Sequence, residues 1–188
     1  MNARGSTGAT IYRADLSIAD MDRNYYADHS LTVARHPSET EERLMVRLLA
    51  FAVFAAEGLE FGRGLSTDDE PDLWLRDLTG LVELWIEVGL PEEKWLRKAC
   101  GRARQVVVIA YGAAKAEQWW KRNEADLLRL DNLAIYSIPA AAGATLARMA
   151  SRSMRLNVTI QESQVWMGSD SAEASLQFDV LKAATPAT

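Results

Sequence analysis

The segment EPDLWLRDLTGLVELWIEVG, residues 70–89, contains the most informative pattern of this chain. It predicts two short strands joined by a turn at Thr79-Gly80. The second strand alternates between an apolar face, with Val82, Leu84, Ile86 and Val88, and a second face, with Glu83, Trp85 and Glu87. The first strand alternates in the same way. Pairing of the two strands therefore places Asp72 and Glu87 on the same side of one sheet.

Asp72 and Glu87 form a candidate metal site. Two carboxylates held side by side on a rigid sheet repel each other unless a cation lies between them. Hard divalent cations such as Mg²⁺ and Mn²⁺ prefer carboxylate oxygens, so either ion is the expected cofactor. The alternative is that both carboxylates belong to a solvated face, because a half-buried strand turns its polar side chains outward.

The composition is that of an ordinary globular protein, with 48% hydrophobic and 25% charged residues in a chain of 188. This length predicts a single domain over residues 1–188. The net charge of −5 argues against a generic nucleic-acid coat protein, but it is compatible with a local basic site. The single cysteine, Cys100, has no partner for an intramolecular disulfide and is predicted to be a buried small side chain.

The sequence predicts a cytoplasmic protein. Its start, MNARGSTGAT, lacks the apolar segment of a secretory signal. Its longest apolar run, residues 48–56, is too short to span a bilayer. We therefore expect no membrane partner, and the oligomeric state stays open.

The clearest helix begins near Ser38, which is predicted to be its N-cap and to form a capping box with Glu41. An apolar stripe continues to about residue 56, before Gly58. Glu39 and Glu42 are predicted on the first turn. Each carboxylate is there either because it interacts favourably with the helix N-terminus or because it joins Asp72 and Glu87 as a further metal ligand.

A second helix begins after Pro91 and carries a cationic stripe. Lys94, Lys98 and Arg102 recur every four residues with Arg97 beside them, while Trp95 is predicted on the opposite, apolar face. The stripe is either a solvated face or a source of positive charge for the nearby carboxylates. The second role is open because the helix follows directly after the strand that carries Glu87.

The remaining elements complete a mixed α/β (α+β) order. Strands are predicted at residues 105–111 and 133–138, and helices at residues 113–130 and 140–151. An antiparallel hairpin of residues 9–17 and 25–34 precedes the first helix, and a terminal hairpin or meander of residues 154–161, 165–167 and 175–181 ends the chain. We expect a mixed sheet flanked by helices, with extra antiparallel strands at both termini.

The P-D dipeptide of residues 71–72 and the I-E-V-G sequence of residues 86–89 resemble the PD-(D/E)XK signature of restriction-endonuclease-like nucleases, with Gly89 in place of the lysine. The order α-β-β-β-α-β over about residues 38–138 also resembles the core of that fold. The resemblance implies a glutamate from the first helix, the aspartate from the second strand and the glutamate from the third strand. Lys98, or else Lys94 or Arg97, would then replace the missing lysine.

Nearly the whole chain resembles the YaeQ family of bacterial proteins. The resemblance rests on TIYRA, LTVARHPSETEERLMVRLLAFA, GLEFGRGL with DDEP, LWIEVGLPEE and VTIQESQVWM, residues 10–14, 31–52, 58–65 with 68–71, 84–93 and 158–167. It implies a restriction-endonuclease-like core with extra strands. The biochemical function of the family is not established.

Two functions are expected from these patterns. The first is a metal-dependent phosphodiesterase acting on or binding nucleic acid, with Asp72, Glu87 and Lys98 as catalytic residues and Glu39, Glu42, Asp72 and Glu87 as ligands of Mg²⁺ or Mn²⁺. The second is a non-catalytic interaction protein that keeps the nuclease fold and binds a protein partner. The two differ in whether Asp72 and Glu87 bind a divalent metal.

Overall fold

The computed structural model describes residues 8–63 and 69–186, and within these ranges the protein has eleven strands in two sheets and four helices. The helices are α1 Glu41–Val53, α2 Glu93–Arg102, α3 Ala114–Leu127 and α4 Ala140–Met149. The strands are β1 Thr10–Asp20, β2 Tyr25–Arg35, β3 Glu60–Phe61, β4 Leu73–Arg76, β5 Val82–Val88, β6 Ala103–Ala110, β7 Leu133–Ser137, β8 Ser153–Gln161, β9 Gln164–Gly168, β10 Glu173–Leu176 and β11 Asp179–Lys182. Gly64, Leu65 and Asp68 of the motifs quoted above lie outside the described residues.

The six-stranded sheet has the order β3-β4-β5-β6-β7-β11 and contains the hairpin of residues 70–89. β5, β6 and β7 are parallel, whereas β3, β4 and β11 pair antiparallel with their neighbours. The predicted hairpin is confirmed: Leu73 lies opposite Ile86, and the Asp77 carboxylate accepts the backbone N–H groups of Thr79 and Leu81 in the turn. The predicted order α-β-β-β-α-β is also confirmed.

The five-stranded sheet has the order β10-β9-β8-β1-β2 and is built from the two ends of the chain. The N-terminal hairpin is confirmed, with both strands longer than predicted, and β8 pairs in parallel with β1. The expected mixed sheet flanked by helices is present, and the extra strands near both termini form most of a second mixed sheet. The terminal strands form a sheet of their own because their apolar faces cover helices α1 and α4, as the shared buried cluster shows.

Residues 175–181 were predicted as one strand, and this prediction is wrong because the segment is not continuous. This segment is divided into β10, which pairs with β9, and β11, which pairs with β7 in the other sheet. Two contacts hold the divided segment against β7. The Phe178 ring lies edge-on to Tyr136 at 6.1 Å between centroids, and the buried Lys182 donates to the Leu133 carbonyl at 2.7 Å.

Helix α1 is the centre of the main core. Its residues from Leu44 to Ala52 are all buried because both sheets and α4 pack around it. A second apolar cluster lies on the other face of the six-stranded sheet, under α2 and α3. Within residues 8–63 and 69–186, no helix is long and apolar enough to cross a membrane.

The predicted start of α1 needs correction. Thr40, not Ser38, is the N-cap, because the Thr40 hydroxyl accepts the backbone N–H of Arg43 at 3.1 Å while the Ser38 hydroxyl contacts the His36 ring. Glu39 therefore precedes the helix rather than lying on its first turn. Its side chain is turned inward and is only 4% exposed.

Substitution by alanine is expected to have opposite effects on stability at Gly62 and at Gly101. A Cβ on Gly62 would lie 1.9 Å from the Pro71 carbonyl oxygen, whereas a Cβ on Gly101 in helix α2 would meet nothing within 4 Å. We expect Gly62→Ala to lower the free energy of unfolding by about 2 kcal/mol through overpacking. We expect Gly101→Ala to raise it by about 1 kcal/mol through helix propensity. Urea denaturation measures both, and shifts of the same sign would contradict the packing at Gly62.

Candidate acidic site

Glu39 is the buried carboxylate on which the candidate site is built. Arg47, four residues beyond Arg43 on α1, donates to both of its oxygens, with Nε 2.7 Å from Oε1 and Nη2 2.8 Å from Oε2. Arg43 adds a third donor, because its Nη1 lies 2.9 Å from Oε1. The positive charges of Arg43 and Arg47 thus balance the negative charge of Glu39, and Glu39 holds both guanidinium groups in place.

Asp72 lies one residue before β4 and accepts donors from two elements. Its Oδ1 accepts Nη2 of Arg43 at 2.6 Å, and its Oδ2 accepts the backbone N–H of Val88 at 2.7 Å. The same Nη2 lies 3.3 Å from the Val88 carbonyl oxygen. Burial lowers the pKa of Arg43, but the charges of Asp72 and Glu39 and their hydrogen bonds outweigh this effect and hold its pKa above the ordinary value. Arg43 therefore stays charged.

Glu87 is the carboxylate of the site that lacks an arginine partner in the part of the chain described. Burial, together with the nearby charge of Asp72, raises its pKa to about 7. The Trp85 indole N–H, 2.9 Å from Oε1, and the charge of Arg43 act in the opposite direction without cancelling the rise. At neutral pH the Glu87 carboxyl is therefore about half protonated.

The other two predicted site residues lie elsewhere. Glu42 packs toward α4, where its Oε1 would lie 2.4 Å from a Cβ on Gly143, and it lines a small cleft with Tyr111. Lys98 projects from α2, and its Nζ lies 5.0 Å from the centre of the Trp95 ring. The positive charge beside Asp72 belongs to Arg43 of α1, a residue that the sequence analysis did not consider.

The backbone at Gly89, the position compared with the signature lysine, disfavours any side chain. Gly89 has φ +119°, a backbone conformation that side chains other than glycine rarely adopt. A lysine in its place would strain the turn that connects β5 to α2. The sequence contains a pattern from which the role of Arg43 could have been predicted. Glu39, Arg43 and Arg47 are spaced four residues apart, so they can contact one another along one side of the helix.

The predicted ligands are brought together in part, because Asp72, Glu87 and Glu39 lie around Arg43 while Glu42 lies apart. Among the described residues, no group of three or more His, Cys, Asp and Glu side chains is arranged to hold a metal ion. The reason is local, since Glu39 is turned toward Arg47 and Glu42 toward α4. Asp72 and Val88 nevertheless direct one carboxylate oxygen and one carbonyl oxygen at a single cationic nitrogen of Arg43. Carboxylate and carbonyl oxygens are also the ligand types that Mg²⁺ and Mn²⁺ prefer, but here they bind the Arg43 guanidinium.

Comparison with known proteins identifies relatives over almost the whole chain. A family model described as "YaeQ protein" matches residues 6–178. An "Uncharacterized protein YaeQ" of Escherichia coli K12 is 44% identical over 162 residues, covering 86% of this chain and 90% of that protein. The crystal structure of a YaeQ protein from Xanthomonas axonopodis pv. citri is 52% identical with a TM-score of 0.90, covering 95% of this chain and 99% of that chain. The crystal structure of a YaeQ protein from Pseudomonas syringae is 36% identical. It also has a TM-score of 0.90, and the match covers 95% of this chain and 98% of that chain.

The raised pKa of Glu87 predicts a pH-dependent cost of folding. Its folded pKa of about 7 exceeds the value near 4.3 expected in the unfolded chain, so Glu87 favours the fold below pH 4 and loses that contribution as the pH rises to 7. We expect Glu87→Gln to lie within about 1 kcal/mol of the wild type in stability at pH 4.5 and to exceed it by about 3 kcal/mol at pH 8. Thermal unfolding across this pH range measures the difference.

Glu83→Gln is the matched control, because Glu83 lies on the same strand and pairs with Arg104 near the surface. We expect it to change stability by less than about 1 kcal/mol at either pH. A pH-independent effect of Glu87→Gln would contradict the burial and charge assigned to Glu87.

Proposed function

The chain belongs to the YaeQ family, and we propose that it is a metal-dependent phosphodiesterase acting on nucleic acid, with a restriction-endonuclease-like core and with Arg43 in place of the motif lysine. The observation that supports this proposal is the convergence of Asp72 and Val88 oxygens on one cationic nitrogen. Glu87 stands opposite Asp72 and is destabilised as an anion, so an added cation would favour its ionised form.

Asp72, Glu87 and the Val88 carbonyl are the groups that would hold Mg²⁺ or Mn²⁺. A bound ion of this kind supplies a Lewis acid for the phosphoryl oxygen and lowers the pKa of a coordinated water. Because the pKa of Glu87 is about 7, occupation of the site would release a proton near neutral pH. Apparent affinity for the metal is therefore expected to rise between pH 6 and pH 8.

Arg43 is the group proposed to act on the substrate. Its side chain is 14% exposed, and Nη1 is held by Glu39 while Nη2 faces the carboxylate pair. A guanidinium in this position can donate to a phosphate oxygen and stabilise the charge that develops on it in the transition state. Arg47 is a positioning residue, because it fixes Glu39, which in turn orients Arg43. Lys98 is not part of this proposal.

A non-catalytic interaction protein is the second candidate function, and one observation favours it. Arg43 and Arg47 already balance the charges of Glu39 and Asp72 inside the chain. This charge balance needs no added metal ion. That is the expected result if the protein has kept the arrangement of the site and lost catalytic activity. In this case a protein partner is expected. The cytoplasm is the expected compartment for either function.

Calorimetric titration of Mn²⁺ distinguishes the two candidates. We expect saturable binding by the wild type and a loss of at least about tenfold in affinity for Glu87→Gln and Asp72→Asn, because each removes a carboxylate ligand. Absence of saturable binding by the wild type would exclude the phosphodiesterase and leave the interaction protein. Circular dichroism checks that Asp72→Asn still folds, and Glu87→Gln tests the site independently of that outcome.

Arg43→Gln is expected to have opposite effects on binding and cleavage. Removal of the guanidinium removes a cation that competes for the Asp72 and Val88 oxygens, so the Mn²⁺ affinity should rise several-fold. Cleavage of single- and double-stranded DNA and RNA should fall by about 10²–10³, the usual effect of losing one preorganised charge. Arg104→Gln is the matched control, because Arg104 is 76% exposed and pairs with Glu83 near the surface. Equal effects of both substitutions would contradict the role of Arg43.

A further inference from the structure

Trp95 on helix α2 is a large aromatic side chain that lies outside both hydrophobic cores. Neither buried cluster of the described residues includes it, and neither has it among the partly buried side chains packed against the cluster. Trp95 was predicted on the apolar face of α2, but the structure buries it only in part. Leu96 and Ala99 form the buried face of this helix, and Trp95 lies half-buried beside it.

Two lysines accompany the Trp95 ring. The ammonium nitrogen of Lys98 lies 5.0 Å from the ring centre, and that of Lys94 lies 5.9 Å from it. With Arg97 these side chains line a shallow concavity of about 570 Å³ on the surface. We call Lys94, Trp95, Arg97 and Lys98 the α2 groove. Both ammonium groups lie over the ring on flexible side chains, which can turn toward an anion and leave the indole face to a planar ring.

The charges of the α2 groove are not fully balanced by acidic neighbours. Arg97 pairs with Glu93, and Lys94 lies 3.3 Å from Glu92, although both side chains of the second pair are 68% exposed and weakly coupled. Lys98 makes no salt bridge among the described residues. The charge of Asp126 also acts on Arg97, so Lys98 is the cation of the groove that stays available to an anionic ligand.

Helix α2 is connected to the acidic site through Arg102 and Trp85. The guanidinium of Arg102, further along α2, lies 5.3 Å from the centre of the Trp85 ring, and the indole N–H of Trp85 donates to Glu87. Helix α2 begins five residues after Val88, which contacts both Asp72 and Arg43. The Trp119 indole N–H holds the connecting segment through the Pro91 carbonyl at 2.8 Å.

We propose that the α2 groove binds single-stranded nucleic acid, with a base stacked on Trp95 and backbone phosphates paired with Lys94 and Lys98. A single strand fits this chemistry because its bases expose their faces, whereas a duplex buries them in its own stack. An acidic peptide would satisfy the lysines but would leave the indole face without a planar partner. This inference rests on the proposed function, for which it names single strands as the substrate class.

The test is fluorescence anisotropy of a labelled oligo-thymidine strand of about 15 nucleotides, measured with EDTA so that no divalent metal is present. We expect Trp95→Ala to weaken binding about tenfold or more and Trp95→Phe, which keeps a stacking ring, to retain most of it. Lys98→Ala should lower the slope of log K against log salt by about 0.7, the value for one phosphate contact on a single strand.

Lys121→Ala is the control, because Lys121 is 71% exposed on α3 and has a comparable charge. It should leave both affinity and salt slope unchanged. A duplex of the same sequence is expected to bind more weakly than the strand. Wild-type affinity in Trp95→Ala, or competition by polyglutamate as effective as that by the oligonucleotide, would overturn the proposal.

Failure of this proposal can be told apart from failure of the proposed function. The anisotropy measurement contains no metal, and the Mn²⁺ titration contains no nucleic acid. Loss of strand binding with intact Mn²⁺ binding would reject the α2 groove and leave the metal site in place. Trp95-dependent strand binding without Mn²⁺ binding would support the α2 groove and reject the phosphodiesterase.

Discussion

The ion network of Glu39, Arg43, Arg47 and Asp72 is the constraint on which the arrangement of the two sheets depends. Arg47 joins Glu39 to the Ala34 carbonyl of β2, and Arg43 joins Glu39 to the start of β4 and the end of β5. Helix α1 is therefore hydrogen-bonded to both sheets at its N-terminal end. Apolar packing along α1 is non-directional, whereas these charged contacts fix one relative position. Breaking such a buried pair typically costs about 3–5 kcal/mol.

The same network explains why Glu87 differs from the other two carboxylates. Three carboxylates and two guanidinium groups meet at this end of the fold, and the arginines are committed to Glu39 and Asp72. Glu87 receives only the Trp85 indole N–H among the described residues, so its pKa rises to about 7. A neutral N–H donor stabilises a carboxylate less than a positively charged guanidinium donor does. Trp85 thus couples the acidic site to the aromatic and cationic surface of α2.

Much of the fold could be predicted from residues 70–89 and from the apolar periodicity of the helices, because local alternation determines which face is buried. The acidic site was predicted only in part. Asp72 and Glu87 were identified because they lie opposite each other in a local hairpin. Arg43 was missed, since its contact with Asp72 depends on how α1 packs against the sheet, which no local pattern encodes. The partial burial of Trp95 was not predicted, because this residue lies at the border between two helix faces, where side-chain direction decides exposure.

The parallel pairing of β1 with β8 brings together strands from the two ends of the chain, with Arg13 opposite Ser153. During synthesis the hairpin of β1 and β2 leaves the ribosome long before β8 exists, and its apolar face has no complete sheet to join. Pairing of two strands that are so distant in sequence restricts the chain segment between them. Such contacts give a high contact order, so folding is expected to be slow. Until the last strands are made, the nascent chain presents an open edge along β1 of the kind that chaperones protect.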